Sequence, residues 1–463
     1  MHLTSLYWLY TASRTFSNTF EAAVCSIALY YWPLSRAAVN HLRVSKSSRA
    51  YRMALFAAWL AVLIRPTSLV LWSFLGMRLV NDALHCKCFW RVIREPLWIG
   101  YVFILRKGSH YSSSLVLGAG FYIDSMYYDS WSWTPLNFVR ENLWNSVSSF
   151  YGMNSWHWYF SVGIPSIVTI QLPYVAIGWW HRRGVRDPAS VLTLFQACVW
   201  MLLVCSCLHH KETRFLQPLV PWLHLAAAIG MEPLQSTTSV RAAWSAVPRW
   251  IRALLFVQVP IVAYVCAFHA RAQIYVMSYI HMLGRSASPP KSIGFLMPCH
   301  STPWQSHMHL TYLEASGDTG DTGLAWFLAC PPPQRTQSTY WDQTDFFFHD
   351  PLQYINTRFP PVVDPAFPAM SVASFTLPDD RVGQIAQHAE YDLGWRHPWP
   401  SHLVLFSSLL HTSQNNVSVG ERLSALGYRP KVRFWNSFFH PDEHRRGDIV
   451  VLEHYYSTEA FAS

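Results

Sequence analysis

Residues 188–208 contain no Asp, Glu, Lys or Arg. A helix rises ~1.5 Å per residue and a bilayer core is ~30 Å thick, so ~20 such residues cross a membrane. Residues 158–180, 215–231 and 253–270 are equally free of these charges. A chain carrying several such runs cannot expose them all to water. Its composition agrees, with 13% charged and 51% hydrophobic residues, against ~25% charged in soluble domains. Collagen-like, coiled-coil and disordered classes do not fit 20 Gly, 23 Trp and this apolar content. The expected fold is an α-helical polytopic membrane protein.

Residues 15–34 and 108–123 are weaker spans, the first with Arg14 and Glu21 at one end. Residues 53–77 are interrupted by Arg65-Pro66, leaving charge-free halves of 12 residues on each side. Proline removes a backbone donor, which predicts a broken or re-entrant hairpin. Basic residues gather between the runs: Arg36 to Arg52, Arg78 to Lys107, Arg182 to Arg186, and Arg241, Arg249 and Arg252. Placing these four loops in the cytosol gives one path, provided 53–77 enters and leaves on the same side. The opposite, lumenal side then receives 127–157, 209–214 and everything after about Arg271. The formal charge of +9 thus reads as the positive-inside pattern rather than a nucleic-acid surface.

The bundle is expected over 1–271, and 272–463 reads as a small lumenal α+β domain without a spanning run. Stretches 401–410 and 448–456 alternate like strands. Asn416-Val417-Ser418 is a glycosylation sequon that suits a lumenal position. In an oxidising compartment Cys299 and Cys330 could pair. Cys299, His300, His307 and His309 match no zinc spacing, so no metal is expected, and a structural or disulfide role is preferred. No cleavable signal peptide and no internal repeat is evident.

The densest polar segment is His209-His210-Lys211-Glu212-Thr213-Arg214-Phe215, between two spans. Ionisable groups at membrane depth are costly and point to a substrate path; Lys211 and Arg214 could clamp a phosphate with Glu212 as counter-ion. A polar turn that merely solvates two helix ends is the alternative. Arg65 is either a phosphate ligand or a snorkelling residue. Trp156, His157 and Trp158 are either an interfacial aromatic belt or an acceptor contact, with the contact preferred for His157. Asp124 and Asp129 are weak candidates for a catalytic base, each read first as a solvated helix end.

His210-Lys211-Glu212-x-Arg214-Phe215 followed by Pro218 and Pro221 resembles the signature of the dolichyl-phosphate-mannose-dependent mannosyltransferases. Arg14-Thr15-x-Ser17-Asn18-x-x-Glu21 and Ile64-Arg65-Pro66-Thr67 resemble that family's early helices. Phe150-Tyr151-Gly152-x-x-x-Trp156-His157-Trp158-Tyr159 with Gly163-x-Pro165 is similar to the branch acting at the third mannose of the glycosylphosphatidylinositol (GPI) anchor. So is Met297-Pro298-Cys299-His300-Ser301-Thr302-Pro303 with Cys330-Pro331-Pro332.

The resemblance implies a GT-C type helix bundle in the endoplasmic reticulum membrane, working on the lumenal side. It implies dolichyl-phosphate-mannose as donor, a dimannosylated GPI glycolipid precursor as acceptor, and an α1,2 link formed with inversion. No nucleotide cofactor is implied, and the chain has no Gly-rich dinucleotide loop. His210, Lys211, Glu212, Arg214, Arg65 and His157 are the implied binding residues. Alternatives are another mannosyltransferase of the family, in N-glycan assembly, or a non-catalytic copy; a transporter reading lacks the paired repeats it needs. Family members begin with a helix and a His-Pro-Asp-Glu type loop bearing the presumed base. Here Met1 starts in what resembles a later helix, so an N-terminally truncated chain is expected. His440-Pro441-Asp442-Glu443 repeats those letters in the tail, where an ordinary polar turn is expected.

Overall fold

A computed structural model describes residues 5–12, 14, 16–42, 45–94, 113–144, 147–181, 184–231, 245, 247–314, 323–330, 341–370 and 395–456. It divides into two units, Met1–Val262 and Ala263–Ser463. Residues 108–112 of one expected span lie outside the described residues, as do Arg43, Arg106, Lys107, Arg182, Arg183 and Arg241 of the basic loops, and Pro331-Pro332.

The first unit is helical. Its early helices are α1 (Leu6–Ala12), α2 (Ser17–Tyr31), α3 (Arg36–His41), α4 (Ser45–Ile64) and α5 (Ser68–His85). The break expected at Arg65-Pro66 is there, because Pro66 cannot donate to the preceding turn. The arms are longer than expected: α4 has 20 residues and α5 has 18. Both are regular α-helices that meet at the break, and α4 carries Lys46, Arg49 and Arg52 in its first turns. Beyond them, Trp200 Nε1 donates to Val70 O at 3.0 Å, joining helix Pro188–Ser206 to α5. Ala28, Ala58, Leu75, Ile167, Met201 and Leu219 share one buried core.

Among the described residues, three segments are long and apolar enough to cross a membrane: Tyr159–His181, Pro188–Ser206 and Arg249–Gly284. The first is not one smooth helix. Pro165 and Pro173 each remove a donor, and the chain passes through a wide turn at Tyr159–Gly163 and a tight one at Thr169–Gln171 before helix Leu172–His181. Thr169 sits at φ 47°. The expected span 215–231 is corrected: it opens as a tight 3₁₀ segment, Thr213–Leu219, and only Val220–Gly230 is α-helical. Pro218 and Pro221 account for that, one lying inside the tight turn and one in the helix's first turn. The bundle packs tightest where helices Leu172–His181 and Val220–Gly230 cross. A Cβ on Gly178 would stand 1.8 Å from Ala226 O, and one on Gly230 would stand 2.1 Å from Tyr174 O.

The second unit contains helix Ala272–Gly284 and a five-stranded sheet ordered β2-β1-β3-β7-β6. Its strands are β1 (Ile293–Leu296), β2 (Ala325–Phe327), β3 (His402–Phe406), β6 (Tyr428–Phe434) and β7 (Ile449–His454); β4 (Ser413–Gln414) and β5 (Val417–Ser418) form a separate hairpin. β1 runs parallel to β2 and β3, and β7 antiparallel to β3 and β6. Side chains alternate between faces. Leu296, Leu403, Leu405, Val450 and Leu452 join a core with Ile355. Ile293, Phe295, Val404, Phe406, Ile449 and Val451 join another with Val276 and Ile280. The sheet is therefore covered on both faces, as its parallel half requires. The strand expected over 401–410 stops at Phe406, and Ser407–Leu410 is a short helix. The division between the two units falls between Val262 and Ala263, inside helix Arg249–Ala267.

Candidate functional site

α2 carries Ser17, Asn18 and Glu21 at spacings of three and four, which puts them on one helical face. Glu21 and Asn18 are both 1% exposed. Glu21 accepts from Ser68 Oγ at the start of α5, and its other oxygen lies 3.4 Å from Arg65 Nε. Arg65 Nη1 also donates to Ser17 Oγ at 3.1 Å. The break between α4 and α5 thus presents a paired guanidinium, with the Phe215 ring 5.9 Å from its centre.

The 209–214 turn meets this group. Asn18 Nδ2 donates to Arg214 O at 2.8 Å. Gln217 is fully buried; its amide donates to Thr11 Oγ1 at 2.9 Å and accepts from Tyr7 Oη at 3.0 Å. These bonds fix the turn against α1 and α2. Arg214 then grips Glu212 through two nitrogens, Nη2 at 2.6 Å from Oε1 and Nε on Oε2. His210 Nε2 lies 2.9 Å from Glu212 Oε1, while its Nδ1 lies 3.0 Å from Gly152 O. Both ring nitrogens face acceptors, an arrangement that uses two N–H donors. Burial pushes the Glu212 pKa up, but hydrogen bonds from Arg214 and His210 outweigh it and hold the carboxyl below its ordinary value. The Arg214 side chain is 45% exposed, so it is the cation that faces outward.

Lys211 differs from its expected role. It is 4% exposed, and its ammonium donates to Asn154 O at 2.8 Å and to Leu208 O. Asn154 Nδ2 returns a bond to Lys211 O at 3.1 Å, and Asn154 N donates to His209 O at 3.0 Å. Tyr159 Oη donates to Glu212 O at 3.3 Å. In this arrangement Lys211 is a strut between two loops, with its charge spent on carbonyl oxygens.

The other expected residues stand apart. His157 is exposed and bonds Ser161 Oγ at 3.1 Å. Asp124 accepts from Thr134 N at 2.9 Å at the start of a short helix. Asp129 is exposed at φ 48°. In the second unit Cys299 and Cys330 form a disulfide, with Cα atoms 6.3 Å apart, and Asn416 lies exposed in the β4–β5 turn at φ 66°. The His440-Pro441-Asp442-Glu443 stretch is a polar turn: Asp442 accepts from His444 N at 3.0 Å and pairs with Arg445 at 3.2 Å. Sequence reasoning gave no role to Asn154, Gln217, Tyr159 or Ser68, and took Glu21 only as a helix-end charge and as part of the early-helix resemblance. The signal for Glu21 was its spacing from Ser17 and Asn18.

The model of the Alg9-like mannosyltransferase family matches residues 1–309. "GPI mannosyltransferase 3" of Yarrowia lipolytica is 33% identical over 97% of this chain and 73% of its own length. The Aspergillus fumigatus protein of the same name is 29% identical over 96% of this chain and 59% of its own. "GPI alpha-1,2-mannosyltransferase 3" of Xenopus laevis is 30% identical over 77% of this chain and 58% of its own. No solved structure matches.

Proposed function

Since the chain belongs to the Alg9-like mannosyltransferase family, we propose that it adds the third mannose, in α1,2 linkage, to a GPI-anchor precursor. The donor is dolichyl-phosphate-mannose, and the reaction takes place on the lumenal face of the endoplasmic reticulum membrane. The observation that carries this reading is the Arg214–Glu212–His210 assembly beside Arg65: half-exposed cation held rigidly at a helix end is what a lipid phosphate needs. The names borne by the relatives direct it to the GPI precursor.

In the reaction the acceptor hydroxyl oxygen attacks the anomeric carbon from the side opposite the phosphate. The bond from that carbon to the phosphate oxygen breaks, and its electron pair leaves with dolichyl phosphate. Arg214 and Arg65 offset the charge that develops there, and Glu212 fixes the guanidinium plane of Arg214. Lys211, through Asn154, holds the loop bearing His157 and the aromatic residues over the turn. To His157, in that loop, we assign contact with the incoming sugar rather than the phosphate. The hydroxyl's proton goes to a carboxylate base, and we assign that role to neither Asp124 nor Asp129. A low-dielectric setting makes each charge partner count for more than it would in water.

The test uses microsomes from cells lacking the third GPI mannose step and expressing the open reading frame that carries this chain. Labelled dolichyl-phosphate-mannose should yield a trimannosyl precursor, with the new mannose sensitive to an α1,2-specific mannosidase. Label entering N-glycan precursors instead, with none in GPI intermediates, would overturn the assignment.

A further inference from the structure

We infer that the loop following β6 is a membrane anchor, seated at the headgroup–acyl boundary of the leaflet reached by helix Arg249–Ala267. The loop reads Trp435-Asn436-Ser437-Phe438-Phe439-His440. Phe438 is 81% exposed, Phe439 65% and Trp435 44%, and Phe268 at the helix end is 48% exposed. Large apolar side chains clustered in this way mark an interaction surface.

What covers them is indicated by their partner. Phe438 stacks on the Tyr264 ring with centroids 5.7 Å apart, and Phe438 N donates to Tyr264 Oη at 3.0 Å. Phe439 lies 6.0 Å from the same ring and 5.7 Å from that of His269. Tyr264 belongs to Arg249–Gly284, the segment long and apolar enough to cross a membrane. A residue stacked on a spanning helix near its end shares that helix's depth. The helix Arg249–Ala267 has 19 residues, a length of ~28 Å at the usual helical rise, which matches the hydrocarbon layer. The rings at 438 and 439 then fall at the level where aromatic side chains collect.

The loop is also rigid at its base, so its rings protrude from a fixed frame. Ala270 N donates to Asn436 O at 3.1 Å. Asn436 is fully buried, and its amide donates to Arg445 O at 3.2 Å. Arg446 Nε donates to His440 O at 3.2 Å, setting an exposed cation beside the rings where lipid phosphates would lie. The occupant is therefore a lipid surface, and the inference does not depend on which sugar the protein transfers.

The experiment places one genetically encoded fluorescent amino acid at Phe438 of the full chain, reconstituted in phosphatidylcholine nanodiscs. A second protein carries it at Phe439, and a control at Val362, which is 74% exposed. Lipids with a spin label high on the acyl chain should quench 438 and 439 strongly, as for groups lying ~5–10 Å into the boundary. Iodide in the water should quench them severalfold less than it quenches the control. Strong iodide quenching with none from lipid overturns the inference. So does protection from both quenchers, which would mean that another protein covers the loop.

Discussion

Glu212 takes hydrogen bonds through both carboxylate oxygens, and its replacement by glutamine isolates what that charge does. Glu212→Gln leaves the turn's backbone tethers to Asn18 and Asn154 intact but frees the Arg214 guanidinium to rotate. Transfer should fall by ~10²–10³, the usual effect of losing one preorganised electrostatic contact, with the protein still folded. Initial rates beside a detergent melting curve check this; an unchanged rate returns the cluster to a solvated helix end. Lys211 should behave in the opposite way. Its ammonium satisfies two carbonyls in a buried position, so Lys211→Met should cost ~1–3 kcal/mol of stability and reduce the yield of folded protein. A full loss of transfer in a normally stable Lys211→Met protein would restore Lys211 as a phosphate ligand. His397 gives a pH test outside the spanning segments. Burial, chiefly, lowers its pKa to about 3 from an ordinary 6.5, as the ring sits stacked between Trp326 and Phe359 and bonded to Tyr354 Oη at 2.7 Å. The folded state binds the proton less well than the unfolded chain. Its stability is thus complete above about 6.5 and falls by about 1.4 kcal/mol per pH unit as the medium is acidified toward 3. Melting temperatures between pH 7 and pH 5 should decline accordingly, and a flat profile would contradict it.

Among elements, the crossing of helices Leu172–His181 and Val220–Gly230 is the most sensitive. Their backbones approach so closely that neither Gly178 nor Gly230 has room for a methyl group. Lipid gives helices little hydrophobic reason to associate, so such small-residue contacts carry much of the packing. Gly178→Ala should cost ~1–3 kcal/mol by overpacking, lowering the melting temperature without removing any group of the charged cluster. Val220–Gly230 continues directly from the tight segment holding Arg214 and Gln217, so a displaced crossing should also weaken donor binding. A neutral Gly178→Ala would show that the helices can separate freely.

At the scale of the whole molecule, the expected side of the second unit rests on the basic loops and the sequon. Asn416 is exposed in its turn, and Ser418, the sequon's third residue, caps the next helix by accepting from Glu421 N at 3.1 Å. If the unit is lumenal, it should gain one glycan at Asn416 and survive protease in sealed microsomes. Cys299 and Cys330 should then be linked, with a gel shift on reduction. Digestion of the unit without detergent would reverse the orientation.

Much was determined by the sequence alone. Charge-free runs had to become helices because a bilayer offers backbone groups no other partner, and Arg65-Pro66 had to break one of them. The alternation at 401–410 and 448–456 located β3 and β7, since period two follows from the pleat. Tertiary structure alone decided which polar residues meet. Arg65 and Glu21 are far apart in the chain, and only the packing of α2 against the α4–α5 break joins them. Lys211 and Arg214 look alike on paper, but one turns inward to carbonyls and the other outward. That outcome depends on where the 154 and 208 carbonyls lie, which no spacing within 209–214 encodes. The aromatic loop at 435–439 likewise carries no periodic signal; stacking on Tyr264 is what relates it to the spanning helix.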